Sequence, residues 1–415
     1  MQKGLLFDTL LRRALLAVTL VLPCLLGFLA TYALLILGLV AIGWLLLPGQ
    51  RARLRLDTTG ALLLVGFAGL ALIIAIDALA TGHPRDVIYA LDFGMLLLYG
   101  PLVSLYGRAA GPANAVLVAD LALAGTVLAA LMAGGQELLF HPQRVGYGVY
   151  DPIRLGDTTL LLSFFALMGI RAREGARRWV YLVAPVLAAG VGVLAGARSA
   201  MLVLPALVVV AVALLIRRRL VAALVGGGAL ALVGLGGALA IAVHDSRVTS
   251  IIVLARQLFG DHQIADEATR QRFALYEAGA EVFGQAPALG VGWHRRMAEV
   301  TAHLAPGDKR LGTLPHLHNE VLNFAVGTGL AGVAIYALLL AAPVVGLLLS
   351  PRDRLYPARR YGVGVLVVGY VALGLADVML GFETHTALYV AWAAVLLGYC
   401  REASPATRWS VFRRE

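Results

Sequence analysis

Charge is what this sequence has least of. Only 14% of its 415 residues are Asp, Glu, Lys or Arg, against 60% hydrophobic. With a mean hydropathy of +0.84, that balance excludes an ordinary soluble domain. Cysteine is almost absent. The two present, Cys24 and Cys400, sit in apolar segments near opposite ends, with no Cys-x-x-Cys or Cys/His spacing, which excludes a cysteine zinc site and a disulfide scaffold. There is no Asp-x-Asp, no His-Glu-x-x-His and no acidic cluster, so no metal and no other cofactor is expected. The apolar runs do not alternate with polar residues, which excludes a β-barrel. Internal repeats are missing, as are the paired broken helices of many transporters.

What is there is a series of continuous apolar stretches. A bilayer core takes about 20 apolar residues per helix, and on that ruler the chain reads as an all-α polytopic membrane protein with about 12 transmembrane helices. The stretch 14–47 is too long for one span and divides at a turn near 27–31. Further spans are expected near 59–80, 87–106, 114–133, 158–170, 179–197, 199–216, 220–243, 319–349, 363–380 and 386–400. Lys3, Arg12 and Arg13 precede the first span without a convincing cleavage site, which suggests an uncleaved anchor.

Formal net charge is +10, yet this does not call for nucleic acid, because arginines of membrane proteins collect in cytoplasmic loops. Every second loop is basic: Arg51/Arg53/Arg55, Arg108, Arg171/Arg173/Arg177/Arg178, Arg217/Arg218/Arg219 and Arg352/Arg354/Arg359/Arg360. The alternation supports the helix count and predicts that both termini are cytoplasmic. Three regions follow: 1–243 with helices one to nine, a long loop 244–315 on the opposite face, and 316–415 with helices ten to twelve and a cytoplasmic tail. Within the loop, 251–259 and 273–283 have the periodicity of short amphipathic helices. In the second piece Phe273, Tyr276, Ala280 and Phe283 form the expected apolar stripe.

Several residues could carry chemistry. Arg198, in Leu-Ala-Gly-Ala-Arg-Ser-Ala, lies between two helices with almost no loop around it. An ionisable group at such a depth suits a lipid phosphate, although a snorkelling arginine would look the same. Arg270 and Arg272 precede Tyr276, which shares a helix face with Arg272. Their guanidinium forks would match a pyrophosphate, unless Asp266 or Glu277 simply pairs with them on a solvated face. In His316-Leu317-His318-Asn319-Glu320, histidine is suited to take a proton near neutral pH, and Asn319 or Glu320 could cap the following helix. Half of a metal site and a structural pair are the competing readings. Intramembrane carboxylates, of the kind a proton-coupled transporter uses, are few: Asp77, Asp92, Asp120 and Asp377. The chemistry-capable residues gather at one membrane face, which favours an enzyme.

Four pieces in this order resemble the O-antigen ligase family of Gram-negative inner membranes, with its relatives the O-antigen polymerases and protein O-oligosaccharyltransferases. They are Gly-Ala-Arg-Ser-Ala around Arg198, Arg272-Phe-Ala-Leu-Tyr276, the Pro-x-x-Gly-x-Gly turn of 287–294, and His-Leu-His-Asn-Glu-Val-Leu of 316–322 with Gly327 and Gly329 after it. The segment 144–157, beginning at Arg144, also looks like the one preceding the family's mid-chain helices. The aromatic after Arg272 is tyrosine where the family usually has tryptophan. The resemblance implies a GT-C-type glycosyltransferase of the bacterial inner membrane, with its active site facing the periplasm. The donor would be an undecaprenyl-pyrophosphate-linked glycan and the acceptor a hydroxyl of lipid A–core oligosaccharide; membrane lipids would be the only other partners. His318 would be the catalytic base, and Arg198 and Arg272 would stabilise the leaving pyrophosphate. Arg270, His316, Asn319, Tyr276 and Arg144 would bind substrate. Transfer would be inverting and metal-independent.

An O-antigen polymerase would use the same donor with a second lipid-linked glycan as acceptor. A protein O-oligosaccharyltransferase often has a further C-terminal domain, and none is expected here. A transporter or flippase for lipid-linked glycans is the alternative from a different class. It explains the helices and a cationic cavity but not a histidine base.

Overall fold

A computed structural model describes residues 2–48, 50, 56–148, 151–215 and 267–402. All regular structure among the described residues is helical. In chain order the main helices are α1 (Gln2–Leu20), α2 (Phe28–Leu46), α3 (Thr58–Ala80), α4 (Pro84–Gly107), α5 (Asn114–Phe140), α6 (Pro152–Ala172) and α7 (Ala176–Ala195). They continue with α8 (Arg198–Leu215), α9 (Glu267–Gln285), α10 (Arg296–His303), α11 (Glu320–Leu349), α12 (Tyr356–Gly374) and α13 (Glu383–Ala394). Eight of them, α2 to α8 and α11, are long and apolar enough to cross a membrane. The segments α1, α12 and α13 are helical where further spans were expected, and the predicted span 220–243 lies outside the described residues.

Helix boundaries follow local chemistry. Gly27, at φ 51°, breaks the first apolar stretch inside the expected turn. Asp57 caps α3 by accepting from Gly60 N, and Asp151 caps α6 by accepting from the N–H groups of Ile153 and Arg154, with Pro152 in the first turn. That cap starts α6 six residues before the expected 158. The helix α12 ends at Gly374, short of the predicted 380. Val378, Met379 and Leu380 are buried loop residues, and their hydropathy looks like more helix.

The bundle is built around α6. Every residue from Leu155 to Gly169 is buried, against α5 and α7 on one side and α8 and α12 on the other. Next to it α3 packs on α4 and α11, and α13 packs on α4 and α2.

The loop between α8 and α11 has a small core of its own. Leu275, Ala278 and Val282 of α9 meet Met297 and Val300 of α10, with Leu304, Leu311, Leu317 and Val326. The expected stripe on α9 is therefore offset. Phe273 and Ala280 are exposed, and the buried face runs through Leu275, Ala278, Gly279 and Val282. The other predicted amphipathic piece, 251–259, lies outside the described residues.

This unit is keyed into α11 through main chain. Leu330 N donates to Pro287 O at 2.8 Å, Ala331 N to Ala288 O at 3.2 Å, and Val291 N to Val326 O at 2.9 Å. The register is possible because α11 is broken at Gly329, whose φ of 65° leaves the helical region. A Cβ on Gly329 would lie 2.4 Å from the Ala288 carbonyl, so only glycine admits the turn. Polar ties complete the attachment: Trp293 Nε1 donates to Asp92 at 2.8 Å, and Arg295 pairs with Asp77 at 2.8 Å.

Candidate active site

Asn319 sets the geometry at the head of α11. Its side chain accepts from Leu322 N at 3.0 Å, a helix cap of the kind typically worth about 1 kcal/mol. The cap leaves residues 316–318 as a non-helical lead-in. His318 takes φ 52°, and with His141 it is one of two described non-glycine residues in the left-handed region. That conformation costs a non-glycine residue roughly 1–2 kcal/mol and concentrates at functional positions. Tyr276 holds it by donating its hydroxyl to the His318 carbonyl at 2.8 Å. So Tyr276, expected to bind substrate, acts on the backbone of the candidate base.

Both imidazoles turn toward one carboxylate. Asp377 Oδ1 lies 3.3 Å from His318 Nδ1 and 3.6 Å from His316 Nε2. Among the described residues Nδ1 has no aligned hydrogen-bond partner, so the His318 approach is a close contact rather than a formed hydrogen bond. The two rings meet edge-on with centroids 4.5 Å apart. His316 is the deeper, and burial pushes its imidazole down to about 4 even though Asp377 opposes the shift. Burial alone would raise the Asp377 carboxyl. The His318 contact and the potential of both imidazoles outweigh that and hold it well below the usual carboxylate range. Asp377 is thus an anion, His316 a neutral ring, and His318, with 19% of its side chain exposed, the member that reaches solvent.

The same three residues could hold a metal. Ligand atoms of His316, His318 and Asp377 all lie within 4.8 Å of one another. Two imidazoles and a carboxylate are an ordinary donor set for zinc or another divalent transition metal. The expectation that no residue set resembles a metal cage overlooked this, because Asp377 is remote from the histidines in sequence.

The arginines fall into two groups. Arg198 is the first residue of α8, two residues after the left-handed Gly196 that closes α7. Arg144 donates to that glycine's carbonyl at 3.2 Å, which brings these two arginines to one turn. Beside Arg198, Ser199 donates to the buried Asp157 at 2.8 Å, and Asp157 lies within electrostatic reach of both Asp377 and Arg272. Arg272 also acts on Tyr276, one turn along α9. Asp157, Arg272, Tyr276 and Asp377 therefore form one electrostatic neighbourhood, and Arg198 adjoins it in the chain through Ser199. Arg270 stands apart. It donates to Asp308 at 2.7 and 3.0 Å and to Glu267 at 2.9 Å, contacts that pull Glu267 down to about 2. Its fork is occupied by carboxylates on the loop's outer side.

Of the four intramembrane carboxylates, the three besides Asp377 have partners that are structural in kind. Asp77 pairs with Arg295, Asp92 accepts from Trp293, and Asp120 binds Arg173 and Tyr181. Sequence reasoning missed Asp377, Asp157 and Glu320 as members of the site. The available signal was a polar patch around Asp377 within an otherwise apolar stretch, which inside a membrane is a functional pointer.

Comparison with known proteins covers part of this region. Residues 183–337 match a family model described as O-antigen ligase. The match takes in Arg198, Arg272, the 287–294 turn and His318, and leaves out Arg144 and Asp377. No curated protein matches the chain.

Proposed function

We propose that this chain, whose residues 183–337 match the O-antigen ligase family model, is the ligase itself. In this reading it is a GT-C-type, metal-independent glycosyltransferase of the bacterial inner membrane. It moves a glycan from undecaprenyl pyrophosphate to a hydroxyl of lipid A–core at the periplasmic face. The observation that carries the reading is the His318–Asp377 pair at the head of α11.

The chemistry follows from that pair. In this reading the contact with Asp377 tightens on substrate binding, so that neutral His318 carries its proton on Nδ1, facing the carboxylate, and its lone pair on Nε2. Nε2 takes the proton of the acceptor hydroxyl as its oxygen attacks the anomeric carbon of the donor sugar. The bond from that carbon to the pyrophosphate oxygen breaks with its electron pair, and the configuration inverts. Charge grows on the leaving pyrophosphate, where Arg198 and Arg272 stabilise it through bidentate contacts. Asp377 in turn stabilises the imidazolium. Arg144 braces the turn that carries Arg198, His316 packs against the base, and Asn319 and Tyr276 fix its backbone. Arg270 holds the loop together.

The test is purified protein with lipid-linked glycan and lipid A–core, transfer being read on a gel. Wild type transfers. His318→Ala binds donor and does not transfer, losing about 10²–10⁴-fold, the usual worth of a general base. Undiminished transfer by His318→Ala sinks the reading.

The His316–His318–Asp377 donor set favours a second version of the same reaction, in which these three residues would hold a divalent ion that would supply Lewis acidity at the acceptor. Chelator separates the two. Activity that survives chelation supports the base, and activity lost on chelation and restored by a divalent ion supports the metal. The polymerase alternative is tested by replacing lipid A–core with a second lipid-linked glycan.

A further inference from the structure

Glu320 is the first residue of α11, and its side chain is fully buried. It is not the helix cap, because Asn319 already accepts from Leu322 N. Its carboxylate points instead at the loop between α12 and α13. One oxygen, Oε1, accepts from two main-chain donors there, Met379 N at 3.2 Å and Leu380 N. Asn319 adds a bond from its amide to Leu375 O at 3.4 Å. The end of α12 is shaped to admit the carboxylate, since a Cβ on Gly374 would lie 2.5 Å from Glu320 Oε2.

Asp377 lies inside the segment these bonds hold. It is followed at once by Val378, whose N–H donates to the Asp377 carboxylate at 2.9 Å, and then by the two residues Glu320 grips. The carboxylate that faces His318 is thus fixed by another carboxylate two residues along the chain from His318. We propose that Glu320 is a positioning residue for transfer: by accepting the Met379 and Leu380 N–H groups it sets Asp377 against His318. The inference rests on the His318–Asp377 reading above. Removing the acceptor leaves two buried N–H groups unpaired, so the segment relaxes away and takes Asp377 with it. The donor-binding arginines lie on other elements.

The experiment is a double-mutant cycle in the purified full-length protein, with kcat and donor KM measured separately. Glu320→Gln keeps an acceptor oxygen in place and should stay within about threefold of wild type. Glu320→Met fills the volume without an acceptor, and Glu320→Ala removes both. Each should lower kcat by about tenfold or more at nearly unchanged donor KM, the pattern of a lost transition-state interaction. On an Asp377→Asn background the same substitutions should cost no more than about twofold, because residues acting through one another are not additive. If Glu320→Ala does not fold, Glu320→Met decides. The proposal is overturned if Glu320→Met keeps wild-type kcat, if its cost is equal on both backgrounds, or if Glu320→Gln is as damaging as Glu320→Met. The two levels separate cleanly. Full transfer by His318→Ala and Asp377→Asn defeats the base pair and this inference together. Loss in those variants with a normal Glu320→Met removes only the positioning role.

Discussion

Substituting Asp377 by asparagine changes one charge and almost no volume. At the observed 3.3 Å, a carboxylate and an imidazolium attract by about 5 kcal/mol at an effective dielectric of about 20. Because the imidazolium exists only once the acceptor proton has moved, most of that attraction acts on the transition state rather than on bound substrate. Its full loss would slow transfer by nearly 10⁴-fold, and the loss of a positioned acid–base partner typically costs about 10²–10⁴-fold. Asparagine adds a second fault. Its amide N–H can face Nδ1 and hold the ring in the tautomer whose Nε2 is protonated and cannot act as a base. The expected result for Asp377→Asn is therefore a kcat reduced by about 10²–10⁴-fold with donor KM within about threefold of wild type. The assay is transfer from lipid-linked glycan to lipid A–core under saturating acceptor, with donor varied. A kcat within about threefold of wild type would refute both the dyad and the tautomer argument.

Three other outcomes are expected. Arg198→Lys and Arg272→Lys should each weaken donor binding or transfer by about ten- to a hundredfold, because lysine keeps the charge and loses the fork, whereas Arg270→Lys should stay within about threefold; donor-binding isotherms decide. His316, held down to about 4 by burial, binds a proton in the unfolded chain below its ordinary value near 6.5 but in the folded chain only near 4. Folding stability should thus fall as pH drops from about 6.5 toward 4, and thermal unfolding in detergent should show His316→Asn with a flatter profile. Finally, the native thiols Cys24 and Cys400 are both buried, so a cysteine at the exposed Ala302 should be the dominant site for an impermeant thiol reagent on intact spheroplasts; labelling only after lysis inverts the topology.

How much of this could be read in the sequence depended on whether the information was local. The apolar runs that became α2 to α8 and α11 were legible because a membrane-spanning helix satisfies its own backbone and needs only length and hydropathy. His318 and Asn319 were legible because a cap and its helix are neighbours in the chain. Asp377 was seen, yet only as one of four intramembrane carboxylates, since its meeting with His318 is made by the packing of α11 against α12. The end of α12 was misplaced because Val378, Met379 and Leu380 are buried as loop, and hydropathy does not distinguish burial in lipid from burial in protein. Arg270 and Arg272 looked equivalent in the chain. Asp308 separates them, and nothing in sequence spacing pairs residue 308 with residue 270.

The main-chain contacts between the 287–291 turn and the break in α11 have a mechanical meaning. The upper part of α11, from Glu320 to Thr328, is offset from the rest by Gly329, and the turn binds both sides of the break, the upper part at Val326 and the remainder at Leu330 and Ala331. It bears the capping asparagine and the candidate base at its head. The loop therefore works as a splint across the break, tying the short rod to the rest of the helix. Without that splint the glycine break would be a hinge directly beneath the segment that carries His318 at its head.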